Sequence, residues 1–337
     1  MTATRPICPD CRSSNTELIG RLPDGQVFAG RTLDQPVQGG ALFHCKGCWL
    51  KFRSPAPSES FRAAGYDNSL TQAWSDEATV RADWRLIVTL VHQQAITSPR
   101  VLDIGCYTGG LLRALGEGIK KAGVELNRAA AQVASREVGA EVWHSLEDIP
   151  ADKQFDFIIA TDVIEHVDRP AVFVQTMFSK LAPGGSVILT TGDGDAPLAS
   201  LFGANWWYWF TVEHISFISK KWIELFCQTT GATSDHVIHF SYLQLTPAVR
   251  LSHLLQTLLY GLTGSFYLGA VRLAYQLTKR RWPVFPKGAG VTADHLLVML
   301  APSRNAMSID PAARNPTENI VLESEQARPT LKLMGRL

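Results

Sequence analysis

Apolar positions follow two rhythms along the chain. From residue 99 onward, short apolar runs alternate with stretches of helical spacing. Val101-Leu102-Asp103-Ile104 breaks at Gly105, and apolar spacing resumes at Leu111. That pattern predicts a buried strand, a tight turn and a helix start. Ala122-Gly123-Val124-Glu125-Leu126 is the next strand, followed by a helix over 127–138 with Asn127 as its N-cap. Glu141-Val142-Trp143-His144, Phe155-Asp156-Phe157-Ile158-Ile159-Ala160 and Val187-Ile188-Leu189 continue the series. Strands alternating with helices mean a parallel sheet joined by right-handed crossovers. Residues 293–300 read as a final, antiparallel edge strand, with 233–244 as its partner. Upstream, Ser75 caps a helix whose apolar stripe is Ala82, Leu86, Ile87, Leu90 and Val91. The first fifty-odd residues hold only short β-like runs, at 27–29, 41–44 and 49–52.

The turn after Ile104 carries the first chemical signal. A Gly-rich turn between strand and helix offers backbone N–H groups and a positive helix end to a carboxylate or phosphate. Glu125, at the end of the next strand, can accept hydrogen bonds from a ribose diol. The dinucleotide pattern G-x-G-x-x-G is not met by residues 105–110. The register Asp103-x-Gly105-x-x-x-Gly109 instead resembles the first motif of class I S-adenosylmethionine-dependent methyltransferases. Residues 155–167 and 181–189 resemble the fourth strand with its exit, and the fifth strand, of the same family. The resemblance spans about residues 85–245.

It implies an α/β fold, a Rossmann-like seven-stranded sheet with its last strand antiparallel. The cofactor would be held by Asp103, Gly105, Tyr107 and Gly109 at the methionine end, by Glu125 at the ribose, by Ser145 and Leu146 at the adenine, and by Asp162 at the exit of the fourth strand. Two positions depart from the family. Tyr107 replaces the middle glycine, which demands a negative φ there. Ser145 stands where the family has an acid. The helix over residues 82–91 would lid this pocket or simply pack on the sheet.

Composition narrows the setting. Lys and Arg number 32 against 31 Asp and Glu, so no general attraction to nucleic acid is built in. Residues 1–9 lack the apolar core of a secretory signal, and the expected compartment is the cytoplasm. Four of six cysteines form two CxxC pairs, Cys8/Cys11 and Cys45/Cys48. Two such knuckles make a tetrahedral thiolate site for structural Zn²⁺, as in a zinc ribbon. A redox CxxC pair is the rival reading. The expected domains are a ribbon over 1–54, a linker and lid helix over 55–98, the main domain over 99–302 and a disordered tail over 303–337.

Residues 206–210 form the aromatic run Trp-Trp-Tyr-Trp-Phe, which would either wall an acceptor site or anchor its loop. Next comes Glu213-His214-x-x-Phe217-x-Ser219. With the paired CxxC knuckles, this segment resembles the bacterial nucleotide-sugar C-methyltransferases and related polysaccharide-cluster methyltransferases. The resemblance implies His214 as base and Glu213 as its orienting or substrate-binding neighbour. Thr211 stands where those enzymes carry tyrosine, and their long C-terminal domain is absent, so fold and cofactor carry over better than substrate. Glu165-His166 offers a second possibility, a divalent-ion site like that of catechol-type O-methyltransferases.

An insert at about 246–290 contains a stretch, Leu251 to Val271, without Asp, Glu, Lys or Arg, followed by Lys279-Arg280-Arg281-Trp282. Gly261, Gly264 and Gly269 divide it into two short helices in this reading. Residues 251–282 thus offer a contact to the inner membrane face or to a second subunit. The expected acceptor is a small molecule or glycan, a sugar nucleotide or lipid-linked saccharide first. A zinc-ribbon RNA methyltransferase and a non-catalytic adaptor of the same fold stay open beside it.

Overall fold

The computed structural model describes residues 5–29, 31–67, 81–242, 246–263 and 292–303. The expected cap at Ser75, the later part of the insert with Gly264, Gly269 and Lys279 to Trp282, and the tail beyond 303 lie outside the described residues.

The N-terminal strands are β1 (Thr16–Arg21), β2 (Gly25–Phe28), β3 (Arg31–Val37), β4 (Ala41–Cys45) and β5 (Lys51–Ser54). Helix α1 (Glu59–Asp67) follows, where the sequence reading placed only a linker, and then α2 (Ala82–Gln93). The main alternation runs β6 (Arg100–Ile104), α3 (Gly110–Ala114), β7 (Lys120–Val124), α4 (Arg128–Val138), β8 (Glu141–Trp143), β9 (Phe155–Thr161), α5 (Pro170–Ser179) and β10 (Leu181–Gly192). It ends with α6 (Pro197–Phe202), β11 (Ser216–Phe217), α7 (Lys220–Thr230), β12 (Thr233–Phe240), α8 (Pro247–Thr263) and β13 (His295–Ala301).

Seven strands form one sheet in the order β12-β13-β10-β9-β6-β7-β8. β6 pairs in parallel with β7 on one side and β9 on the other, so the chain winds both ways from it. Ligands of such sheets bind beyond the strand C-termini at this reversal, which here is the turn after β6. β13 lies antiparallel between β10 and β12 and is not the edge. The cause is its burial: six of its seven residues are buried, and an edge strand would leave that apolar face unpaired. β12, mostly exposed and carrying Asp235, His236 and His239, takes the edge.

The N-terminal strands do not form a separate body. Three of them join β11 in a sheet ordered β1-β4-β5-β11, so the main domain supplies the last strand, while β2 and β3 pair with each other. Ser216 pairs with Phe52 and Phe217 with Lys51. Arg53, inside β5, is 3% exposed. Its guanidinium donates to the carbonyls of Gly39, Trp209, Thr211 and His214. Asp10, within the first CxxC, accepts from Ala171 N–H (2.9 Å) and Trp222 Nε1–H (3.0 Å).

The aromatic run divides its work. Trp206 and Trp209 are fully buried and meet edge to face at 4.5 Å, anchoring the loop. Tyr208 turns its hydroxyl toward the C-terminal end of β9, as described below. Helix α8 continues past Gly261 to Thr263 instead of ending there. Its Leu254 and Leu258 pack on the aromatic cluster, while Leu251, Leu255 and Leu259 face outward. No helix among the described residues is long and apolar enough to cross a membrane.

Candidate active site

The turn after β6 is built by left-handed residues. Gly105 and Gly109 have φ of +74° and +85°. Tyr107 also has a positive φ, +47°, against the expectation of a negative one. That conformation costs a non-glycine residue about 1–2 kcal/mol. A specific bond offsets it: Tyr107 N–H donates to Glu125 Oε2 at 2.8 Å. The other oxygen, Oε1, accepts from Asn127 N–H at 2.7 Å. Glu125 therefore ties the turn after β6 to the cap of α4. Burial raises its pKa, while the backbone N–H groups of Asn127 and Tyr107 draw it back.

Asp103 stands just before this turn, 2% exposed. Its Oδ1 has no hydrogen-bond partner, and burial pushes its pKa up to about 8. A buried carboxyl oxygen without a donor is costly, and a cationic ligand group would satisfy it. Asp103→Asn is expected to raise the melting temperature of the ligand-free chain and to weaken binding of a cationic ligand about tenfold. Calorimetry and a melting curve check both.

Leu146, the residue expected at the adenine, is buried just after β8. The hydroxyl and N–H of Ser145 both donate to Asp148 Oδ2, at 3.0 and 2.9 Å, so Ser145 closes its own turn. Leu126, directly after Glu125, is 41% exposed at the same edge. Its apolar side chain after an acid was the signal that sequence reasoning passed over.

Asp162 and Val163 at the exit of β9 border the turn: a Cβ at Gly105 would lie 2.9 Å from Val163 Cγ2. Asp162 accepts from the Tyr242 hydroxyl (2.5 Å) and from Arg81 Nη2 (2.9 Å). Arg81 also pairs with the buried Asp83 and lies 5.0 Å from the Trp84 ring. Neither Arg81 nor Tyr242 stood out in the sequence, because only tertiary packing brings them to Asp162.

Beyond Asp162 lies a cluster of buried polar side chains among aromatic rings. Glu165 is buried and its two oxygens accept from Tyr208 (2.7 Å) and Thr191 (2.9 Å). Burial first, then the charge of Asp162, raises its pKa to about 7. His166 Nδ1 donates to the Glu213 carbonyl (3.1 Å) and lies 2.9 Å from the Tyr66 hydroxyl. His214 Nδ1 donates to the Tyr208 carbonyl (3.2 Å), leaving a lone pair on Nε2. Burial, then the neighbouring His166, holds the His214 pKa well below the usual histidine range.

Glu213 does not orient His214. Its Oε1 accepts from Ala29 N–H (3.0 Å) in the N-terminal region. Ligand atoms of Glu165, His166 and His214 lie within 4.8 Å of one another. The hydrogen bonds on both Glu165 oxygens and on both Nδ1 atoms make this set a packed polar network.

The thiols do gather. Cys8 and Cys48 sulfurs are 3.7 Å apart, and Cys11 and Cys45 sulfurs 3.5 Å apart. Tetrahedral Zn–S bonds of about 2.3 Å imply sulfurs about 3.8 Å apart. All four cysteines are free thiols, so their spacing fits a Zn²⁺ ion.

The family described as a methyltransferase domain matches residues 77–237. The ubiquinone biosynthesis O-methyltransferase of Nitrosococcus oceani is 31% identical over 176 residues, 48% of this chain and 74% of that protein. Its counterpart in Pseudomonas fluorescens is 26% identical over 202 residues, 53% of this chain and 84% of that protein. Among solved structures, the plantazolicin methyltransferase in complex with S-adenosylhomocysteine overlays on 73% of this chain and 92% of its own, at 14% identity and a TM-score of 0.41.

Proposed function

Because the chain belongs to the S-adenosylmethionine-dependent methyltransferases, we propose that it methylates a hydroxyl of a small molecule or glycan. The observation that carries the cofactor reading is the pair of acids at the reversal of the sheet. Glu125 bridges two backbone N–H groups and keeps lone pairs for a ribose diol. Asp103 buries an unpartnered oxygen where a cationic methionine end would satisfy it. In this reading Gly105, Tyr107 and Gly109 shape the methionine end, Leu146 and Ser145 the adenine end, and Asp162 the boundary to the acceptor. The bound cofactor supplies an activated sulfonium methyl group. What the protein adds is position, a dry pocket and a place for the acceptor proton.

Tyr208, Tyr242 and His214 would wall the acceptor, with Glu213 holding the N-terminal ribbon against that wall. Zn²⁺ on Cys8, Cys11, Cys45 and Cys48 is structural, since four thiolates leave no open position. An oxygen acceptor is supported by the O-methyltransferase relatives. A saccharide is supported by the Glu213-His214 segment beside paired CxxC knuckles. The outward Leu251, Leu255 and Leu259 of α8 favour a lipid-linked saccharide over a free sugar nucleotide.

The test incubates the full chain with methyl-labelled S-adenosylmethionine. Its acceptors are a sugar nucleotide, a lipid-linked saccharide in anionic vesicles, and 3,4-dihydroxybenzoate. Label in one acceptor class is the expected result. Cofactor binding without label in any of them would contradict the hydroxyl-acceptor reading.

A further inference from the structure

We infer that His295, held by the carboxylate of Asp294, takes the proton of the acceptor hydroxyl, in place of the His214 that the sequence pattern marks. The assignment rests on the methyltransferase reading above and deepens it.

β13 runs antiparallel to β10, and His295 pairs with Gly192 at the C-terminal end of that strand. Its first residue therefore reaches the end of the sheet where the turn after β6 and the Glu165 cluster lie. His295 and Asp294 are 2% and 0% exposed. His295 Nδ1 donates to Asp294 Oδ1 at 2.8 Å, and the second oxygen of Asp294 has no partner. Nε2 of His295 has no hydrogen-bond partner among the described residues. The Tyr242 ring lies 4.4 Å from the imidazole and the Tyr208 ring 5.6 Å. Tyr242 reaches back to Asp162, which borders the cofactor turn.

A buried carboxylate on Nδ1 sets the tautomer, turns Nε2 into the acceptor atom and stabilises the imidazolium that forms. His214 has a carbonyl on Nδ1, with the His166 ring and the Glu165 carboxyl, already bonded to Thr191 and Tyr208, beside it, so no carboxylate is bonded to an imidazolium formed there. The two histidines are pushed apart accordingly. Burial acts to lower His295, but the Asp294 hydrogen bond and charge, with Asp162 and Glu165 beyond, outweigh it and leave the pKa raised. His214 moves the other way. Divergent environments of this kind mark which group handles the proton.

In the step itself, the acceptor oxygen bonds to the methyl carbon as the carbon–sulfur bond breaks. That electron pair leaves with sulfur as S-adenosylhomocysteine. The hydroxyl proton passes to Nε2, and the resulting imidazolium is neutralised by Asp294.

Groups facing His295 are Asp294 beside it, Asp162 and Glu165 beyond β9, Tyr208 and His214 from the loop after β10, and Tyr242 after β12. Asp193 and His239 are paired with each other nearby, at 3.0 Å. Because Asp294 raises the His295 pKa, turnover should fall on the acid side at a pH above the ordinary histidine value of about 6.5.

The experiment measures transfer to 3,4-dihydroxybenzoate and to UDP-glucose across pH, beside calorimetry with S-adenosylhomocysteine. His295→Asn is expected to lower kcat about 10²–10³-fold, to abolish the acid limb and to leave cofactor affinity within about twofold. Asp294→Asn should move the limb to lower pH, and His214→Asn should keep it. A His295→Asn enzyme with wild-type kcat, or a limb lost in His214→Asn instead, overturns the assignment. Failure of the methyltransferase reading looks different: wild-type protein would give no calorimetric heat at all. Wild type that binds the cofactor but methylates neither probe overturns the hydroxyl base itself. Nitrogen-15 spectra of the wild-type imidazoles give a readout without turnover. His295 should carry its proton on Nδ1 and titrate above His214, and the reverse order overturns the proposal.

Discussion

Stripping zinc from the N-terminal ribbon is expected to abolish methyl transfer while leaving affinity for S-adenosylhomocysteine nearly unchanged. A ribbon this small would lean on such a metal, since zinc-finger peptides draw about 10–16 kcal/mol of folding free energy from these ions. What the ribbon holds is the segment proposed to wall the acceptor. β5 pairs with β11 just after His214, and Arg53 fastens the carbonyls of Trp209, Thr211 and His214. Ala29 holds the Glu213 carboxylate. Releasing this segment by even about 1 Å costs on the order of a hundredfold in turnover. The turn after β6, the proposed cofactor turn, is tied instead to β7 and α4 by Glu125 and depends little on the ribbon. A chelator titration read by a zinc dye, by emission from Trp206 and Trp209, and by turnover checks this outcome. Cys45→Ser should reproduce it. Chelated protein with full turnover and unshifted emission would show that the ribbon does not position the wall.

Glu125→Ala should weaken cofactor binding about a hundredfold. Hydrogen bonds to a carboxylate contribute about 1.5–3 kcal/mol each, so losing the contact to a ribose diol alone approaches that figure. The same change removes the Glu125 acceptor that Tyr107 N–H and Asn127 N–H share at the left-handed turn. Glu125→Gln should fall between the two, because one amide oxygen still accepts. The rise in melting temperature with added S-adenosylhomocysteine measures this, since that rise follows the ratio of ligand concentration to Kd. Equal rises in wild type and Glu125→Ala would remove Glu125 from the site.

The signals legible in the sequence were local ones. The turn at Gly105, the acid at Glu125 and the two CxxC knuckles each lie within a few residues, where backbone geometry dictates residue type. What escaped depends on contacts distant in the chain. Arg53 gave no signal in the sequence, because its carbonyl partners on Trp209 and Thr211 lie more than 150 residues away. Adjacent in sequence, Glu213 and His214 seemed a natural pair. A turn closed by His214 N–H on the Thr211 carbonyl sends the carboxylate to Ala29 instead. The aromatic run announced burial but not direction, so Trp206 and Trp209 could not be told from Tyr208. Apolar on both faces, β13 already argued for a central strand. Its place beside β10 is what turns Asp294-His295 from an ordinary strand start into a buried dyad.

Isothermal titration of S-adenosylhomocysteine into the wild-type chain puts the double-acid site at the sheet reversal to its most direct test. One saturable site per chain, lost on replacing Glu125 by alanine, is the expected result. A folded protein that takes up no ligand at any concentration would contradict the site and every chemical role assigned around it.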